Sequence, residues 1–317
     1  MIGKLIHYIL VVSCMTMLPF VTLGVIRKVK ARMQNRVGAS ILQPLFDFLK
    51  LLKKEQTISD TTTWLFQTAV AVNMAIILLV AWLVPWLSFK PAVPGDDLFL
   101  LLYLLATLRF MTILSALDVG SSFSAFGASR EAFLGMLVEP AIFISLAALG
   151  LTAHNTSLSV IFDSTHTCSI YDLPVWLAAA LGLYLASIVD LSRMPVDDPT
   201  THLELTMVHE AMILENSGKN LALVEYAHYL RMTILYGLIV QCLLHAASYA
   251  VHLSPLLTGI LSVIGVLCVA VTTGMVESLT VKLRWTGAPA FIAYALTMSL
   301  FATAGALIGE IYGHHGL

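Results

Sequence analysis

Charge is what this sequence has least of. Only 11% of its 317 residues are Asp, Glu, Lys or Arg and 58% are hydrophobic, whereas a soluble domain usually carries about 25% charged residues. That scarcity excludes a soluble enzyme, and it leaves no separate water-soluble domain between the apolar runs, so 1–317 reads as a single membrane domain. Cysteine is also scarce. Cys14, Cys242 and Cys268 fall within apolar runs and Cys168 in a connection, with no CxxC and no repeated spacing. The chain therefore lacks the ligand pattern of an iron–sulfur or zinc site of its own, and any electron chemistry belongs to partners. It also shows no Gly-rich phosphate loop, low-complexity tract or internal repeat. A formal net charge of −2 says little about partners, because in a membrane protein the position of charges matters more than their sum. No nucleic acid is expected among them.

What the sequence has in abundance is apolar runs. A span needs about 20 apolar residues at about 1.5 Å of rise each. On that criterion eight are placed, at about 5–26, 67–88, 98–117, 132–153, 174–191, 226–249, 256–278 and 287–309. The first run is long, lacks a small-residue cleavage site and ends in RKVKAR, so it reads as a retained helix rather than a signal peptide. The expected fold is an all-α polytopic integral membrane protein. Lysine and arginine give its orientation. Arg27, Lys28, Lys30, Arg32, Arg36, Lys50, Lys53, Lys54, Arg130, Arg193, Lys219, Lys282 and Arg284 lie in odd-to-even connections, and the opposite side has Lys4 and Lys90. Thirteen against two puts those connections in the cytoplasm and both termini outside.

Two connections stand out. Within the basic loop 27–55, the stretch SILQPLFDFLKLLKK (40–54) carries Gln43, Asp47, Lys50 and Lys54 on one helical stripe and Ile41, Leu42, Leu45, Phe48, Leu49 and Leu52 on the other face. Such a helix lies in the membrane interface, on lipid headgroups or against a neighbouring subunit. The connection 193–225 is acidic, with Asp197, Asp198, Glu204, Glu210, Glu215 and Glu225 against Arg193 and Lys219. Its length marks it as functional or disordered, and Leu203, Leu205, Met207, Val208, Met212, Ile213 and Leu214 argue for order. His202, Glu204, His209 and Glu210 do not have the HExxH spacing and no third ligand is obvious, so no metal site is expected.

Inside or bordering the spans are Arg109, Asp118, Glu131, Glu139, Asp190, Glu225, Arg231, Glu277 and Glu310; ionisable groups there are rare and tend to face a bundle interior or water. Asp118, Asp190, Glu225 and Glu310 lie close enough to span ends to be solvated. Glu131, Glu139 and Arg109 resist that reading. Eight residues separate Glu131 from Glu139, about 12 Å of rise and roughly 80° of rotation, so one hydrated path can touch both, with Arg109 as a counter-charge or as half of a structural pair. A carboxylate in such a place serves proton transfer if hydration or a moving cation switches its affinity for protons.

The stretches RMQNRVGASILQPLFDFLKLLKKE (32–55) and LDVGSSFSAFGASREAFLGMLVEP (117–140), with PVD (195–197) and ENSG (215–218), resemble the membrane subunit that joins the two arms of complex I and of the energy-converting membrane-bound hydrogenases, and in particular the formate hydrogenlyase type. Arg36-Val37-Gly38-Ala39 stands where that family has Arg-x-Gly-Pro. The resemblance implies a prokaryotic inner-membrane subunit without a redox centre, neighboured by a hydrogenase-like large subunit, an iron–sulfur small subunit and antiporter-like membrane proteins. Iron–sulfur clusters, and nickel–iron where hydrogen chemistry is kept, would lie in those partners. Bound lipid is expected, and no local signal decides for or against a quinone chamber. By the same resemblance Glu131, Glu139, Asp197, Glu204, Glu210 and Glu215, with Arg109, Arg130 and Asp118 beside them, form an ion-coupling path for H⁺ or Na⁺. The rival readings are a stand-alone secondary transporter and a passive anchor. Transporters commonly show paired repeats and broken helices at midplane, and neither is visible in the sequence.

Overall fold

The computed structural model describes residues 2–85, 87, 95–162, 172–197, 207–249 and 255–314. Its helices are α1 (Ile2–Met33), α2 (Gln43–Lys53), α3 (Trp64–Leu83), α4 (Leu98–Asp118), α5 (Ser122–Ala153), α6 (Leu158–Ile161), α7 (Leu173–Asp190), α8 (His209–Ile213), α9 (Gly218–Ala247), α10 (Pro255–Leu279) and α11 (Ala288–His314). Eight of them, among the described residues, are long and apolar enough to cross a membrane. These are the eight expected from hydropathy.

α9 is the central helix, packed against α1, α2, α3, α7 and α10, while α11 closes the far side against α5 and α7. Lipid is as apolar as leucine, so helix contacts in a membrane depend on small residues and polar links rather than on hydrophobicity. Gly182 of α7 shows the first: a methyl there would meet Ser145 Oγ at 2.8 Å and Ser299 Oγ at 2.9 Å. The same place shows the second, because those two hydroxyls are hydrogen-bonded at 2.7 Å and join α5 to α11.

Two helices begin earlier than expected. α5 starts at Ser122 rather than near 132, and α9 at Gly218 rather than near 226. The early turns of α5 are rich in small, weakly apolar residues that hydropathy undervalues, yet Ser124, Gly127 and Ala128 are buried. A methyl at Gly127 would meet Ala211 Cβ at 2.8 Å and the Val208 carbonyl oxygen at 2.9 Å. α8 therefore sits directly on this stretch, and Arg130 and Glu131 lie inside the helix rather than at its start.

The amphipathic α2 packs across α1 and α9. Phe48 closes an aromatic group with Phe20 at 5.2 Å and Tyr226 at 5.6 Å between ring centroids. Gln43 donates to Asp47 at 2.8 Å along its polar stripe. Of the acidic connection, residues 198–206 lie outside the described residues, including Asp198, His202, Glu204 and the apolar Leu203 and Leu205. Met207, Val208, Met212 and Ile213 are buried as expected from their composition, and Leu214 is exposed.

At the opposite end of the bundle, Asp96 joins α4 to α6. Ser157 Oγ donates to its carboxylate at 3.0 Å and the Ser159 amide adds a second bond. Partial burial works against the charge, but the hydrogen bonds from Ser159 and Ser157 outweigh it and hold the carboxyl below its ordinary range. The folded-state pKa is thus lower than the unfolded one. The stabilisation is present above the unfolded value and is lost as pH falls through the folded one. Asp96→Asn is expected to cost about 1 kcal/mol at neutral pH and nothing in acid, read by thermal unfolding at both pH values.

Candidate functional site: an intramembrane charge cluster

Four helices contribute to one cluster, buried except at Glu139. α4 brings Arg109, α5 brings Glu131 and Glu139, α7 ends on Asp190 and α9 brings Arg231. Arg109 Nη1 donates to Glu139 Oε1 at 2.7 Å, its Nε lies 3.5 Å from Glu131 Oε1, and its Nη2 donates to Asp190 Oδ1. The same Asp190 oxygen takes Arg231 Nη2 at 2.7 Å. Ser192 Oγ donates to the other oxygen of Glu131 at 3.3 Å. A guanidinium persists in such surroundings because every carboxylate near it offsets part of the desolvation cost.

The geometry follows from the helix period. Glu131, position 135 and Glu139 are four residues apart and so share one face of α5. Position 135 is glycine, and a methyl there would meet Arg109 Cδ at 2.8 Å and Cζ at 2.9 Å. The missing side chain is the bed on which the guanidinium lies. Gly135→Ala is expected to push Arg109 off at least one carboxylate and to cost about 1–3 kcal/mol, measured as a loss of thermal stability in detergent. One residue past Glu139, Pro140 lacks the N–H that would bond the Met136 carbonyl, which weakens the helix ladder beside the cluster.

Three cavities adjoin. One of about 640 Å³ lies between α4 and α5, is lined by apolar side chains such as Phe99, Tyr103 and Phe143, and reaches Glu139, Asp190 and Arg231. The Glu139 side chain is 46% exposed. A second, of about 30 Å³, is lined by Asn73, Thr112, Arg109, Glu131, Asp190, Arg231, His209 and His228. Asn73 Oδ1 and Asp190 Oδ2 are buried there without a hydrogen-bond partner, and the volume suits about one or two water molecules. A third, of about 130 Å³, lies toward the connection after α7 and is lined by Arg193, Asp197, Glu210, Glu225 and Glu277, again with His209 and His228.

The structure brings together three of the residues singled out from the sequence, Arg109, Glu131 and Glu139. Asp197 is buried at the third cavity, accepts from Lys282 Nζ at 2.7 Å and from the Val208 amide at 3.1 Å, and Glu210 lines the same space. Arg130 is directed elsewhere, donating to the Met207 carbonyl at 3.1 Å and lying 3.8 Å over the Phe126 ring. Asp118 receives the Thr63 and Phe66 amides at 2.9 and 3.2 Å, the position of a capping anion at the start of α3. Glu215 is exposed, and Glu204 lies outside the described residues.

One sequence reading is corrected. Asp190, taken for a solvated span end, is 5% exposed and holds two guanidiniums. The chain after α7 turns back under the bundle, burying Leu191, Ser192, Arg193 and Asp197, so position 190 is covered rather than a solvated end. Arg231 carried a signal, a charge inside an apolar run, but its partner could not be named. A further buried group, in which Glu277 takes Arg193 at 3.2 Å and Lys30 at 3.5 Å, was also not foreseen.

Comparison with known proteins agrees with this architecture. A family model described as NADH dehydrogenase matches residues 6–306. The chain is 31% identical over 266 residues to hydrogenase-4 component C of Escherichia coli (strain K12), covering 83% of each protein. It is 31% identical over 218 residues to formate hydrogenlyase subunit 4 of the same organism, covering 68% of this chain and 70% of that one. Among solved structures, a chain of the membrane-bound sulfane sulfur reductase, an archaeal respiratory membrane complex, superposes with a TM-score of 0.79 at 19% identity, covering 96% of this chain and 99% of that one. At that identity the likeness is one of fold.

Proposed function

The chain belongs to the NADH dehydrogenase family, and from that premise we propose that its charge cluster couples a neighbour's electron transfer to the movement of H⁺ or Na⁺. In this reading it is the non-redox membrane subunit of a hydrogenase-like or complex I-like oxidoreductase. The iron–sulfur clusters, and nickel–iron if hydrogen is the substrate, belong to a hydrogenase-like large subunit and an iron–sulfur small subunit on the cytoplasmic face, with antiporter-like subunits beside it in the membrane. Both termini lie outside, and α2 rests on lipid. The charged path begins in the loop residues Asp197 and Glu210, with Glu204 and Glu215, and ends at Glu131 and Glu139.

The observation that carries the reading is the charge balance of the cluster. Three carboxyls, Glu131, Glu139 and Asp190, face two guanidiniums, Arg109 and Arg231. In an apolar surrounding a net charge is costly, so the carboxyl in excess gives such a cluster a place to take up a proton. Moving Arg109 from one carboxyl toward another changes which one keeps it. A shift of a few ångströms, transmitted by the loop that packs on α5, is enough to load and unload such a site.

The test is Glu139→Gln in the assembled complex, in inverted membrane vesicles with a ΔpH-sensitive dye and a Na⁺ assay. Electron transfer is expected to continue while ions moved per electron fall by about tenfold or more, the low end of what loss of a positioned proton-transfer group costs. Pumping at the wild-type ratio would make the chain a passive anchor. Purification without iron–sulfur proteins in fixed ratio would remove the partner assignment.

A further inference from the structure

His209 of α8 and His228 of α9 stack with ring centroids 4.4 Å apart and planes 29° from parallel. Among the described residues, these two are the ones that line both the loop-side cavity of about 130 Å³ and the inner cavity of about 30 Å³. Beyond them the inner cavity reaches Glu131, Asp190, Arg109 and Arg231. Any ion passing between loop and cluster by this route meets two imidazoles first.

We infer that His209 and His228 form an imidazole bridge that admits protons, and not Na⁺, from the loop-side cavity to the intramembrane cluster. The inference rests on the coupling role proposed above and narrows it to one ion. A hard cation takes oxygen ligands, whereas the bridge offers ring nitrogens, which accept and donate protons. The charged groups around it do not choose between the two ions: Arg193 of the post-α7 turn and Arg231 of α9 disfavour any positive charge on the bridge, while Glu210 of α8 and Asp197 of the turn favour one. Arg27, Lys30, Glu225 and Glu277 also line the loop-side cavity, and Arg109, Glu131 and Asp190 line the inner one, so the choice lies with the ring nitrogens. Burial keeps His209 below its ordinary pKa in spite of Glu210 and Asp197, with Arg231 and Arg193 adding to the effect. A proton on this ring is therefore readily released.

The transfer balances without a co-reactant. A neutral imidazole takes a proton on its free nitrogen from the loop-side cavity and gives up the proton of its other nitrogen, through water, to the next ring or to Glu131. The net change is one H⁺ moved inward and a ring left as its other tautomer. Ring rotation turns the new free nitrogen back toward the loop-side cavity, ready for the next proton.

The test uses the full-length chain in lipid nanodiscs and follows protonation of Glu131 after an acid jump by infrared difference spectroscopy, with Glu131→Gln identifying the band. His209→Gln and His228→Gln are expected to slow that protonation about a hundredfold, the low end of what a positioned proton-transfer group contributes, with the thermal midpoint kept. Replacing Na⁺ by choline is expected to leave the wild-type rate unchanged. Should the Gln variants not fold, His228→Phe keeps the ring stack without its nitrogens. Wild-type ¹⁵N-histidine spectra provide a measurement without any variant, in which the two rings are expected to titrate as a coupled pair. Wild-type rates in the variants, a Na⁺-dependent rate, or two rings that titrate independently would overturn the bridge. Those results would leave the coupling role of Glu139 standing with another route to it, whereas an inert Glu139→Gln would remove the coupling role and leave the bridge's kinetics as measured.

Discussion

Asp190→Asn is expected to destabilise the folded chain by about 3–5 kcal/mol, the range for removing one partner of a buried ion pair. The change is isosteric, so it opens no cavity, and the loss is electrostatic. One oxygen of Asp190 accepts from both Arg109 and Arg231. An amide in its place offers a neutral acceptor at best and, turned the other way, aims N–H groups at two guanidiniums. Arg231 then has no carboxylate partner among its described ion pairs, since Asp190 is the group it contacts. Arg109 keeps Glu139 and the more distant Glu131, so it is the less affected of the two. Asp190→Glu retains the charge and is expected to recover part of the loss. Thermal unfolding in detergent, followed by tryptophan fluorescence, measures both variants. An Asn variant within about 1 kcal/mol of wild type would mean that water already screens the cluster as it screens a surface pair.

Why Asp190 was missed, while Glu131 and Glu139 were not, shows what sequence conveys in a membrane protein. Hydropathy registers the solvent a helix must tolerate, so the apolar runs of α3, α4 and α10 announced themselves to within a few residues. It also registers an exception such as Glu139, seventeen residues into α5 and about 26 Å along it. It is blind where a residue near the end of a run is covered by chain that returns from elsewhere, as Ser192 to Asp197 cover the end of α7. For the same reason α5 starts earlier than hydropathy suggests, because Gly127 and Ala128 owe their burial to α8 rather than to lipid. His209 and His228 sit on different helices on either side of the 214–217 turn. No local pattern pairs them. Arg231 stood out as a charge among Leu230, Met232 and Ile234, but choosing Asp190 as its partner required the approach of α7 to α9.

A stable protein that no longer pumps is the expected result of replacing the buried network as a whole, Arg109→Met, Glu131→Leu, Asp190→Leu and Arg231→Met together. Two cations and two carboxylates leave at once, and the one charge that loses its partner, Glu139, has a side chain 46% exposed. Apolar groups of similar volume take over the packing. Exchanges of this kind are often neutral or stabilising by about 1–4 kcal/mol, in contrast to the single Asp190→Asn change, and the two results are expected to differ by far more than additivity allows. The fold needs only that these positions be balanced and filled. Coupling needs them charged, because a proton must find an acceptor on the way to Glu139. Ions moved per electron are therefore expected to drop to background in inverted membrane vesicles while the variant complex assembles and unfolds at or above the wild-type temperature. Wild-type pumping by that variant would reduce the cluster to a structural filler. Loss of both pumping and assembly would show that the partner subunits recognise the charged form of this site.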